Sequence, residues 1–183
     1  MKKVIILDRD GVINHDSDNY IKSCDEWHII NGSANAIARL NNAGYTCAVA
    51  TNQSGIGRGL YSLETFMQIS KKMNEALANA HATVEFILYC PHTPEDNCNC
   101  RKPKTGMLDE IIARLRVEPS SVFFIGDTIR DVQAAYSANI KPILVRTGKG
   151  EALLAENPPE IYNVPVYDSL ADFADKFLEK KTA

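Results

Sequence analysis

Residues 3–13 read KVIILDRDGVI, and the fold follows from how this stretch is taken. The apolar run Val4 to Leu7 is too short for the core of a signal peptide and runs straight into charge, so it reads as a buried strand. Asp8, Arg9, Asp10 and Gly11 follow at once. Two carboxylates therefore leave the carboxyl end of the first strand, and Gly11 lets the backbone turn sharply behind them.

Outward from this strand, short β-branched runs alternate with longer segments of helical period. Val4 to Leu7, Thr46 to Ala50, Val84 to Leu88, Val122 to Ile125 and Pro142 to Val145 are the expected strands. The expected helices are Ser33 to Asn42, which stops at Gly44, then Leu63 to Ala80, Met107 to Leu115 and Asp131 to Ala138. Phe66, Ile69, Met73 and Leu77 give the second of these one apolar face. Near-continuous apolar strands call for a sheet covered on both sides. The repeated strand–helix order predicts an α/β fold: a doubly wound, Rossmann-like parallel sheet with right-handed crossovers and helices on both faces. The length of 183 residues fits a single domain over 1–183.

Two stretches break the rhythm, at about 14–27 and about 90–103, and both read as loops leaving the carboxyl ends of strands, where open α/β sheets bind ligands. Insertions this short leave no room for a large cap domain. The second loop carries Cys90, His92, Cys98 and Cys100. Three thiolates and one imidazole at this spacing complete a tetrahedral zinc site with no open position, so its role is structural. Such a site ties down a loop that ends one residue before Arg101 and Lys102. The chain has five cysteines. Cys24 and Cys47 read as small packed side chains, and His15, His28 and His81 as surface or core residues.

Composition narrows the partners. Lys plus Arg total 20 against 23 for Asp plus Glu, a net charge of -3. No basic stretch or aromatic stacking series marks a nucleic-acid surface. No apolar stretch approaches the roughly 20 residues needed to cross a bilayer. The expectation is a cytoplasmic protein with neither nucleic-acid nor membrane partners.

Two buried carboxylates one residue apart are stable when a divalent cation sits between them or when one keeps a proton. A carboxylate nucleophile suits phosphoryl transfer, because the acyl phosphate it forms is later cleaved by water. A second carboxylate protonates the leaving alkoxide and then activates that water. DRDG alone reads better as an acidic turn capping a strand, but it stands at the first strand and further polar groups follow later strands. Thr51, Asn52, Gln53, Ser54 and Gly55 supply phosphate-binding donors after the second. Arg101 and Lys102 add a planar fork and a compact charge. Gly126 and Asp127, with Asp131 four residues on, resemble a third acidic corner for a hard cation such as magnesium. Asp127 is otherwise an N-cap of the next helix.

Together these motifs resemble the haloacid dehalogenase superfamily of aspartyl phosphatases, whose four motifs correspond to DRDGV, Thr51, Lys102 and GDTIRD over nearly the whole chain. Within it, TNQSGIGRG (51–59), CPH with CNCRKPKTGM (90–107) and VRTGKG (145–150) are similar to the heptose bisphosphate phosphatases. The resemblance implies Asp8 as nucleophile and Asp10 as general acid and base. Magnesium would be held by the Asp8 side chain, the Asp10 carbonyl and Asp127, and Thr51 and Lys102 would stabilise the transferring phosphoryl group. Arg101 would help recognise a sugar phosphate, with Asp16, Ser17, Asn19, Tyr20, Asn52, Gln53 and Ser54 lining its pocket. The loop HDSDNYI is one residue longer than the usual form, which leaves Ser17, Asp18 and Asn19 open as the aligned position. Thr128 stands where a lysine is expected. The family also implies a monomer. Histidinol-phosphate phosphatases share the acidic motif, the zinc loop and CRKP, and are the rival within the same mechanism. A zinc-stabilised binding module without turnover is the rival outside it.

Overall fold

The computed structural model describes residues 2–182. Among them, six strands form one parallel sheet in the order β3-β2-β1-β4-β5-β6. They are β1 (Lys3–Leu7), β2 (Tyr45–Asn52), β3 (Ile87–Cys90), β4 (Phe123–Gly126), β5 (Lys141–Val145) and β6 (Val166–Tyr167). The helices are α1 (Ser33–Asn42), α2 (Ser54–Gly57), α3 (Leu63–Asn79), α4 (Gly106–Leu115), α5 (Ile129–Ser137), α6 (Gly150–Glu156) and α7 (Leu170–Thr182). This is the doubly wound order, whose switch point lies between β1 and β4, and a ligand crevice opens there at the carboxyl ends of the strands.

The alternation of side chains along a strand, with a core on each face, explains why β1 is apolar from Val4 to Leu7. Ile5 and Leu7 face one core with Ile37 and Leu40 of α1, Ile69 and Met73 of α3, and Phe173 of α7. Val4 and Ile6 face the other, with Leu108 and Ile111 of α4 and Phe124 of β4. These four side chains are fully buried. Burial of each contributes about 1.5–3 kcal/mol, so the strand that carries the acidic motif is firmly anchored in the sheet.

Several boundaries differ from expectation. The third strand is Ile87–Cys90 rather than Val84 to Leu88. Its ladder runs from Val49↔Ile87 to Asn52↔Cys90, which carries Cys90 to the mouth of the crevice beside the second motif. Helix α5 begins at Ile129, two residues before the expected Asp131. A reciprocal cap explains this: Thr128 is the N-cap, and the Asp131 carboxylate accepts its backbone N–H at 3.0 Å and its hydroxyl at 2.7 Å. The N-cap is therefore Thr128 and not Asp127. Strand β6 and helices α2, α6 and α7 carry too short or too mixed a pattern to stand out in sequence, and tertiary packing decides them.

Candidate active site

The loop after β1 folds back on itself around one carbonyl. The Arg9 carbonyl accepts the backbone N–H groups of Val12, Ile13 and Asn14, at 3.4, 2.8 and 3.2 Å, while Gly11 takes φ +79°. Asp8 N–H donates to Ile125 O at 2.9 Å, which fixes the end of β1 against β4. The Asp8 and Asp127 carboxylates are thereby brought together with Asp131, their oxygens within 4.8 Å of one another. All three are buried.

Lys102 is the counter-charge. Its Nζ lies 2.8 Å from Asp8 Oδ2 and 2.7 Å from Asp131 Oδ1, and the lysine is 1% exposed. The two acids respond in opposite directions. Burial works against the charge of each, but Lys102 and the Thr128 donors hold Asp131 below the usual carboxylate range. Asp8 receives Lys102 and the Arg9 N–H at 2.7 Å. Burial outweighs these, and with repulsion from Asp131 and Asp10 it pushes Asp8 up to about 7. Asp127 is raised well above the usual range by burial and then by Asp131 and Asp8. Asp131 is thus saturated, whereas Asp8 and Asp127 are carboxylates short of positive charge.

That shortage fits a hard divalent cation, which takes a few carboxylates and keeps several waters. The space around Asp127 fits as well. A Cβ on Gly11 or on Gly148 would stand 2.1 Å from Asp127 Oδ2, so both glycines are needed to leave that oxygen room. Asp131, four residues beyond Asp127 in this acidic corner, anchors Lys102.

Asp10 is held by a separate network. Arg9, only 1% exposed, forks onto it, with Nε 3.0 Å and Nη2 2.9 Å from Oδ1 and Nη2 3.0 Å from Oδ2. Asn14 donates to Oδ1 at 2.8 Å and Gln53 to Oδ2 at 2.8 Å. Gln53 is the hub: it also donates to Thr51 Oγ1 at 2.9 Å, and accepts from Arg9 Nη2 at 3.1 Å and from the Tyr61 hydroxyl at 2.6 Å. Because Thr51 Oγ1 accepts from Gln53, its own proton is free to point into the cleft. Asn52 grips the backbone of Lys102, donating to its carbonyl and accepting its N–H, both at 3.1 Å. The amides of Asn52 and Gln53, expected to face substrate, are spent on positioning Lys102 and Asp10.

The cleft above these groups has a volume of about 270 Å³, and its lining includes Asp8, Asp10, Thr51, Lys102, Arg101 and Asp127. Asp16, Ser17, Tyr20, Asn52, Gln53 and Ser54 also lie along its wall. Asn19 does not; it is exposed, and its backbone N–H donates to Ser17 Oγ at 3.2 Å. Asp18 lines the cleft, while Asn19 is turned outward. Lys149 was not foreseen: its Nζ lies 3.5 Å from Asp16 and 3.1 Å from Asp18, and its backbone N–H donates to Asp127 Oδ2 at 2.8 Å. Arg9 had a signal in the sequence, a cation between two acids inside a buried stretch, whereas Tyr61 and Asn14 had none.

Cys90, His92, Cys98 and Cys100 converge at the foot of the second loop. Cys100 Sγ lies 3.2 Å from Cys90 Sγ, 3.4 Å from Cys98 Sγ and 3.2 Å from His92 Nδ1, and Cys90 Sγ lies 3.5 Å from Cys98 Sγ. A tetrahedron with metal–sulfur bonds of about 2.3 Å has edges of about 3.8 Å, so the cluster is close to the spacing zinc imposes. Neighbouring thiol hydrogen bonds lower Cys98 to about 7 against a burial effect of opposite sign, while burial raises Cys90. The root of this loop is bonded to the second motif, with Gln53 N–H on Cys90 O at 2.7 Å and Gly57 N–H on Pro91 O at 2.9 Å.

Comparison with known proteins agrees with this geometry. A family model described as HAD-hydrolase-like matches residues 99–173. The D-glycero-β-D-manno-heptose-1,7-bisphosphate 7-phosphatase of Neisseria meningitidis serogroup B is 46% identical over 182 residues, covering 99% of this chain and 97% of that protein. The enzyme of the same name from Pseudomonas aeruginosa is 48% identical over 178 residues, covering 97% and 99%. The crystal structure of D,D-heptose 1,7-bisphosphate phosphatase from Bordetella bronchiseptica, complexed with magnesium and phosphate, superposes with a TM-score of 0.93 at 46% identity, covering 97% of this chain and 99% of that one.

Proposed function

Since the chain belongs to the family of heptose-1,7-bisphosphate 7-phosphatases among the HAD-like hydrolases, we propose that it removes the C7 phosphate of D-glycero-D-manno-heptose 1,7-bisphosphate to give the 1-phosphate. The β anomer specified in the names of its relatives is the expected form. The observation that carries the reading is the convergence of Asp8, Asp10, Thr51, Lys102 and Asp127 on one cleft. Histidinol phosphate is the weaker alternative, since the relatives at 46–48% identity are heptose enzymes.

In this mechanism Asp8 attacks phosphorus and the bond to the sugar C7 oxygen breaks, leaving an aspartyl phosphate. Asp10 gives its proton to the departing oxygen. It then takes a proton from the water that cleaves the acyl phosphate, so that inorganic phosphate leaves and Asp8 is regenerated. The Asp10 side chain is 21% exposed, and Arg9 and Gln53 fix it toward the cleft. Lys102 and the free Thr51 proton meet the non-bridging phosphate oxygens. Asp8, Asp127 and the Asp10 carbonyl would hold magnesium, which when bound offsets the negative charge of acids and phosphate.

Zinc in the Cys90, His92, Cys98 and Cys100 cluster would fix the loop that presents Arg101 and Lys102. We take residues 1–183 as one phosphatase unit, acting as a cytoplasmic monomer without nucleic-acid or membrane partners. Among the described residues no helix is long and apolar enough to cross a membrane.

The test is phosphate release, with magnesium, from the α and β anomers of heptose 1,7-bisphosphate and from histidinol phosphate under matched conditions. Preference for a heptose anomer is expected. Preference for histidinol phosphate would keep the mechanism and overturn the substrate.

A further inference from the structure

A bisphosphate carries a second phosphate that the reaction leaves untouched, and the cleft must hold it with cations not already neutralised. Five cationic side chains line the cleft: Arg58, Arg101, Lys102, Arg130 and Lys149. Lys102 is paired with Asp8 and Asp131, Lys149 with Asp16 and Asp18, and Arg58 lies 3.9 Å from Glu95. Arg101 and Arg130 have no carboxylate among the described residues. Arg101 donates to the His92 carbonyl at 3.2 Å, which leaves most of its fork open. The Arg130 side chain, exposed on the first turn of α5, makes no hydrogen bond or ion pair there. The two arginines also share a recess that opens off the cleft beside the zinc loop, lined by Asn97, Cys98, Lys104 and Pro103 among others.

We propose that Arg130, together with Arg101, forms the subsite for the second, non-reacting phosphate, and so sets the preference for a bisphosphate over a monophosphate. The inference rests on the proposed reaction and adds Arg130 to the recognition expected of Arg101. Two guanidinium forks suit a phosphate dianion, since each offers paired N–H donors at a fixed spacing. Thr128, spent on capping α5, has no charge to offer the same group. An arginine two residues further along the same turn supplies one.

The experiment compares kcat/KM for heptose 1,7-bisphosphate with that for heptose 7-phosphate in the wild type, Arg130→Ala and Arg130→Lys. Loss of one charge-assisted contact predicts that the bisphosphate-to-monophosphate ratio falls about 10- to 100-fold in Arg130→Ala, with the lysine variant intermediate because it keeps charge and loses the fork. A ratio unchanged by Arg130→Ala overturns the subsite and leaves the proposed reaction standing. A wild type that hydrolyses heptose 7-phosphate but not the bisphosphate overturns both.

Discussion

Lys102 Nζ sits 2.7 Å from Asp131 Oδ1, with both side chains only 2% exposed. Asp131 also caps α5 through Thr128, so the lysine that faces Asp8 is tied to the start of that helix. A buried cation shared by two acids has one position available to it, and the acid that does not face substrate decides which.

Asp131→Asn should therefore lower kcat about 10- to 100-fold by loosening Lys102. It should also cost stability, up to the roughly 3–5 kcal/mol seen when one partner of a buried pair is removed. Steady-state kinetics and thermal unfolding on the same preparation check this; lost stability with wild-type kcat would reduce Asp131 to a helix cap.

Asp8, raised from an ordinary 3.8 to about 7 by burial, predicts a pH dependence in protein prepared without magnesium. Between about pH 4 and 7 the folded state holds a proton that the unfolded state has released, so stability falls as pH rises through that window. Magnesium prefers the ionised carboxylate, and the rise in melting temperature it produces should be larger at pH 8 than at pH 5. Asp8→Asn should abolish turnover, weaken this dependence to the part that Asp127 contributes and leave zinc content unchanged. Normal turnover in that variant would sink the mechanism.

Cys98→Ala removes one of four ligands from the cluster that roots the Lys102 loop. Zinc content, melting temperature and kcat should fall together, with kcat down about 10-fold or more. Natively purified wild type containing no zinc would remove the metal from this account.

Gly148→Ala would place a Cβ 2.1 Å from Asp127 Oδ2 at φ +62°. Strain of about 1–3 kcal/mol is expected, with displacement of the Asp127 carboxylate. The magnesium concentration for half-maximal activity should rise, and an unaltered magnesium titration would count against Asp127 as a ligand.

Much of the fold was legible because its signals are local. The run Val4 to Leu7 ending in Asp8 marks a buried strand wherever it lies, and helix α3 was found to within one residue from the spacing of Phe66, Ile69, Met73 and Leu77. The cluster of Cys90, His92, Cys98 and Cys100 was equally visible, since its four residues lie close together in the chain. The third strand was misplaced because the register against β2, not the apolar run from Val84, decides where pairing begins.

What the sequence determined by itself was the set of chemical groups and the end of the sheet to which they belong, because strand ends and residue types are properties of short segments. What only the tertiary structure decided was which group serves which. Asp131 supports Lys102, Gln53 orients Asp10, Asn52 grips Lys102, and Asn19 turns away while Lys149 closes on Asp16 and Asp18. Partners such as Gln53 and Asp10 lie 43 residues apart in the chain. The physical reason is that a buried polar group must be satisfied by whatever donor or acceptor packing brings to it, and that pairing exists only once the strands have taken their order.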